Sequence, residues 1–61
     1  MFRCHFTHQG HVVAGEDLLA TTLNEAINEA QVMLATMAAL KPNYPTGFEI
    51  WMLSNLLYKS K

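Results

Sequence analysis

A single cysteine, Cys4, rules out a disulfide within the chain, and no set of cysteines and histidines has the spacing of a structural zinc finger. Strong cations are also few: Arg3, Lys41, Lys59 and Lys61, in a chain of net charge −1. They form no basic stripe able to grip phosphates regardless of sequence, so a nucleic acid is not the expected partner. The most apolar stretch without a charge, Ala30 to Leu40, is interrupted by Gln31 and Thr36. It falls well short of the ~20 apolar residues that cross a bilayer, and no basic n-region precedes an apolar h-region. These absences lead us to expect a cytoplasmic protein with no membrane partner. Gly10, Gly15 and Gly47 are scattered and build no phosphate-cradling loop, and no nucleophile elbow, Walker motif or dinucleotide fingerprint is present. Repeats and low-complexity segments are missing too.

What is abundant is apolar surface. Hydrophobic residues make up 51% of the 61 residues and charged residues only 15%. A single domain over residues 1–61 is expected. A domain of that size buries only ~60% of its extended-chain surface and gains from a staple or a partner. With no disulfide or metal staple in view, self-association is the expected source of added stability.

Thr22-Leu23-Asn24-Glu25 has the form of a capping box: a Thr22 side-chain oxygen for the Glu25 N–H, and a Glu25 carboxylate for the Thr22 N–H. Leu23, Ala26, Ile27, Ala30, Met33, Leu34, Met37 and Leu40 follow at helical spacings, so an amphipathic helix of about five turns should run from about Leu23 to about Leu40. Lys41 and Pro42 would end it. Ile27 should be a core contact, and Met33 and Met37 should fill gaps in the core. Glu25 and Glu29 belong to the wet face.

Upstream, Phe2, Cys4 and Phe6 alternate with Arg3, His5 and Thr7, the pattern of a strand with one buried face. Gln9-Gly10 can turn the chain into a second strand through Val12-Val13-Ala14. A two-residue loop sets His8 against His11, Phe6 against Val13 and Arg3 against Glu16, with Phe2, Cys4, Phe6 and Val13 facing the core. A three-residue loop with a bulge at Gly10 would bury Val12 instead. Downstream of a loop over residues 41–47, Phe48 to Leu53 reads as a third strand and Leu56 to Lys59 as a fourth. Ser54 could instead cap a short terminal helix. The resulting fold class is α+β: a two-layer ββαβ(β) domain with one helix on one face of an antiparallel sheet.

His8 and His11 can meet across the first turn, but two ligands do not make a metal site, and Cys4 lies about 13 Å along the strand from His8. Cys4 itself reads as a small buried apolar side chain. No catalytic residue, metal or cofactor is expected, and the chain reads as non-enzymatic. If Ser54-Asn55 is the second turn, Trp51 faces Tyr58 and Leu53 faces Leu56. Phe48, Ile50, Met52 and Leu57 then take the helix side. Val12, Trp51, Leu53, Leu56 and Tyr58 are left on the uncovered side as the expected interface, in a homodimer or against another protein. Val32, Ala35 and Ala39 extend the apolar surface around the helix.

Phe6-Thr7-His8-Gln9-Gly10-His11-Val12-Val13, Thr22 to Ala30 and Phe48-Glu49-Ile50-Trp51 together resemble small uncharacterised bacterial ββαββ proteins. The junction at Thr22-Leu23-Asn24-Glu25-Ala26 also resembles the strand-to-helix junction of HicB-like antitoxins, which implies a fold that covers a toxin. The chain departs from that family in having no Pro-rich segment ending in Gly-Cys before the helix and no C-terminal DNA-binding extension. The two expected functions are therefore an interaction module and, as the alternative, an antitoxin-like regulator with a toxin or nucleic-acid target.

Overall fold

The computed structural model describes residues 1–40 and 45–60. Strands β1 (Arg3–His8) and β2 (His11–Asp17) precede helix α1 (Leu23–Leu40), and strands β3 (Gly47–Met52) and β4 (Asn55–Lys59) follow it. The four strands form one antiparallel sheet in the order β2-β1-β3-β4. Residues 55–59 are a strand, not the alternative terminal helix. Among the described residues, no helix is long and apolar enough to cross a membrane. The stop signal Lys41–Pro42 and the loop as far as Tyr44 lie outside the described residues.

Both hairpins turn in two residues, and each carries a bulge that the alternation of the sequence does not announce. In the first, Gln9 (φ 51°) and Gly10 (φ 82°) both take positive φ, the backbone that matches the twist of paired strands. His8 pairs with His11 as expected, but the register then slips between Phe6 and Thr7. Val13 becomes the extra residue, so Ala14 pairs with Phe6 and packs against the core in its place. Arg3 consequently meets Asp17 instead of Glu16, at 2.8 Å. Both side chains are half in water, and such a pair contributes about 0–1 kcal/mol.

The second turn comes one residue earlier than the sequence suggests. Met52 pairs with Asn55, so the turn residues are Leu53 and Ser54. Leu53 takes φ 55°, a left-handed conformation that costs a side chain of this kind roughly 1–2 kcal/mol. A slip between Ile50 and Trp51 makes Leu57 the extra residue and sets Tyr58 opposite Ile50. Tyr58 is therefore not on the uncovered face. It packs against the core, stacked on Phe48 with ring centroids 5.8 Å apart. Leu57, expected on the helix side, is exposed.

The core lies between the sheet and α1. Phe2, Cys4, Phe6, Leu18, Phe48 and Ile50 supply its sheet side, and only Ala26 and Ala30 are fully buried on the helix. Two alanines one turn apart let the helix backbone sit close over the strands. The larger Leu23, Ile27, Met33, Leu34 and Met37 wedge in at the flanks, partly buried. Ile27 thus touches the core but does not sit at its centre.

The junction into α1 is held by two glutamates. The Glu25 N–H donates to Thr22 Oγ1 at 3.2 Å, as a capping box requires. The returning carboxylate reaches one residue further back than expected and accepts from the Thr21 N–H at 3.2 Å and the Thr21 hydroxyl at 3.1 Å. The bond from the Thr21 N–H is the leading reason that the Glu25 carboxyl is held below its ordinary pKa. Glu29, expected on a solvated flank, accepts from the N–H groups of Leu19 and Ala20 at 3.1 Å each. It fixes the chain between β2 and the helix.

Candidate interaction surface

The helix covers one face of the sheet. On the other face, β1 places Arg3, His5 and Thr7, which pair with Trp51, Glu49 and Gly47 of β3. Trp51 is half-buried on this face. Its ring centroid lies 5.6 Å from that of His5, and its Nε1–H donates to Glu49 Oε1 at 3.0 Å. The polar handle of the indole is thereby satisfied within the chain. Leu56 of β4 pairs with Trp51 and is exposed. Leu53, at the hairpin tip, is 92% exposed.

Of the five residues expected at the interface, Trp51, Leu53 and Leu56 gather at the β3–β4 hairpin. Val12 is exposed too, but it lies on β2, opposite Thr7 of β1, at the far edge and towards the other end of the sheet. Tyr58 lies on the helix side. The Arg3–Asp17 pair, Glu49 and Lys59 occupy the rest of the face, so its apolar area is a corner and not the whole sheet. On the helix, Val32, Ala35 and Ala39 are exposed as expected.

The contact between His5 and Trp51 has no counterpart in the sequence reading. It depends on β1 lying next to β3, a neighbour more than forty residues away, and only strand order reveals it.

His8 and His11 meet across the first turn. Among the described residues, no group of three or more His, Cys, Asp or Glu side chains is placed to share a metal ion. Cys4 is fully buried. Burial first, and then the charges of Glu16 and Glu29, push its thiol up to about 12, so at neutral pH it is not a thiolate. Alkylation of Cys4 in the folded protein at pH 8 is therefore expected to run on the order of 10²–10³ times slower than in the urea-unfolded chain, because it must wait for opening. Equal rates in a thiol-trapping time course would show that Cys4 is not in the core. A polar groove of about 310 Å³ opens beside the first turn, with Thr7, Thr46, Glu49 and Lys59 along it.

Comparison with known protein families, with curated proteins and with solved structures finds no match.

Proposed function

We propose that the chain is a non-enzymatic protein-interaction module that self-associates as a homodimer through the uncovered face of its sheet, anchored on Trp51. The observation that carries this reading is the state of that side chain. Trp51 is half-buried on the uncovered face, and its N–H is already bonded to Glu49. A partner can bury the ring without leaving a donor unpaired, and that is what an aromatic anchor needs. The exposed Leu56 beside it adds apolar area.

The small core supports the same reading. Among the described residues, two of the eight buried apolar side chains of the core cluster are alanines and one is the cysteine. A second copy would supply burial that the chain alone lacks. Pairing through the strand edges is the weaker route, because both edge strands carry a bulge, Val13 in β2 and Leu57 in β4. Bulges twist an edge away from regular pairing.

Sedimentation velocity from low to high micromolar protein tests the proposal. The wild type is expected to pass from monomer to dimer, with a melting temperature that rises with concentration. Trp51→Glu should stay monomeric throughout. A wild type that sediments as a monomer at high micromolar concentration would sink the dimer.

A further inference from the structure

Three side chains meet on the uncovered face, and one of them is a histidine, the residue type whose charge ordinarily changes between pH 5 and 8. His5 on β1 stands directly opposite Glu49 on β3, and its ring centroid lies 5.6 Å from that of Trp51 on the same strand. All three are partly buried. Residues directly opposite in an antiparallel pair have Cβ atoms about 4.5–5.5 Å apart, so the His5 and Glu49 side chains can reach one another. Glu49 Oε1 accepts instead from the Trp51 N–H, at 3.0 Å.

The other charges around His5 cancel. On β1, Arg3 lies two residues away on the same face. On β2 the residue opposite His5 is Gly15, and the Arg3 side chain crosses it: a Cβ on Gly15 would stand 2.7 Å from Arg3 Nη2. Asp17 holds that guanidinium at 2.8 Å. On β3 is Glu49, and on β4 Lys59 stands opposite it. Among the described residues of this face, two cations and two carboxylates therefore balance while His5 is neutral. A protonated His5 makes the face positive. It also gives Glu49 a second donor, because an imidazolium carries two N–H groups and a full charge. A carboxylate is drawn more strongly to that cation than to a neutral indole N–H.

We propose that His5, Glu49 and Trp51 form a pH-sensitive release for self-association. Protonation of His5 draws the Glu49 carboxylate off the indole N–H and charges the face, so the dimer weakens as the pH falls from 7.5 to 5.5. The effect on association rests on the dimer proposed above; the exchange of Glu49 between its two donors does not. Both consequences act in one direction. Trp51, buried by a second copy, would be left with an unpaired N–H. In a two-fold interface the surplus charge of one copy faces that of the other. The dimer holds fewer protons than two monomers, and acid favours the monomers.

The local step is read at a concentration where the protein sediments as a monomer. Trp51 is the sole tryptophan, so its emission and its indole N–H resonance report this site alone. From pH 8 to pH 5 the emission should fall, quenched by the imidazolium, and the indole resonance should move upfield with the same midpoint as its bond is lost. His5→Gln should remove both changes, and the double variant His8→Gln, His11→Gln should keep them. His5 lies outside the core, and melting curves at both pH values check that each variant is folded. Sedimentation at pH 7.5 and 5.5 then gives the dimer Kd. It should rise at least roughly tenfold on acidification in the wild type and less than about twofold in His5→Gln.

Emission and resonance that stay constant from pH 8 to pH 5, or that change equally in His5→Gln, would overturn the switch. So would a dimer whose Kd is the same or smaller at pH 5.5. A chain that is monomeric at every concentration and both pH values overturns the dimer and with it the release, while the exchange at Glu49 still stands or falls on the emission and the indole resonance.

Discussion

Phe6→Ala is expected to lower the melting temperature by roughly 15–30 °C, or to leave the chain unfolded at room temperature. Phe6 is the largest fully buried side chain among the described residues. It sits on β1, a central strand, with Ala14 opposite it on β2 and Phe48 opposite it on β3. Truncating such a phenylalanine costs about 3–5 kcal/mol in lost transfer energy and residual cavity. A chain of this length has only roughly 3–9 kcal/mol of stability to lose, and each kcal/mol moves its midpoint by about 4–8 °C. The helix cannot collapse to fill the hole easily, because its buried positions, Ala26 and Ala30, are small and already close to the strands. Ile27→Ala should cost less, since Ile27 is only partly buried at the flank. Thermal and urea melts followed by circular dichroism measure both. A Phe6→Ala variant within a few degrees of wild type would mean that the core is not organised around β1.

The helix, the order of the elements and the first turn were legible because each rests on local chemistry. Thr22 and Glu25 mark the start of α1, the spacing from Leu23 to Leu40 its extent, and Gly10 the tight turn. The bulges were not legible. Val13 and Ala14 are both apolar, so nothing in the alternation says which one faces the core. The choice is set by where the bulge falls in β2, and the pairing of Arg3 with Asp17 follows from it. The second turn was misplaced for a different reason. Residue preference favours Ser54-Asn55, because leucine is poorly suited to positive φ, yet the chain turns at Leu53-Ser54. That one-residue difference, with the bulge at Leu57, moves Tyr58 from the expected interface into the core. Of the expected surface it leaves the corner formed by Trp51, Leu53 and Leu56.

Glu29→Ala is expected to destabilise the fold by about 2 kcal/mol, a large effect for an acidic side chain on a helix flank. The reason lies ten residues back along the chain, a separation with no periodic signature. The Glu29 carboxylate accepts from the backbone N–H groups of Leu19 and Ala20, which belong to the segment that crosses from β2 to α1. Bonds to an ionised acceptor contribute about 1.5–3 kcal/mol when they are shielded, and water recovers part of that at the exposed Leu19 N–H. Glu29→Gln retains an acceptor oxygen without the charge, so it should lose less than the alanine variant. A readout beyond the melting curve is hydrogen exchange. In Glu29→Ala the Leu19 and Ala20 amides should exchange faster, while the amides of β1 and β3 change only with the global stability. Unaltered protection at Leu19 and Ala20, together with wild-type melting, would show that the carboxylate does not hold this segment, and that the buried Leu18 anchors it alone.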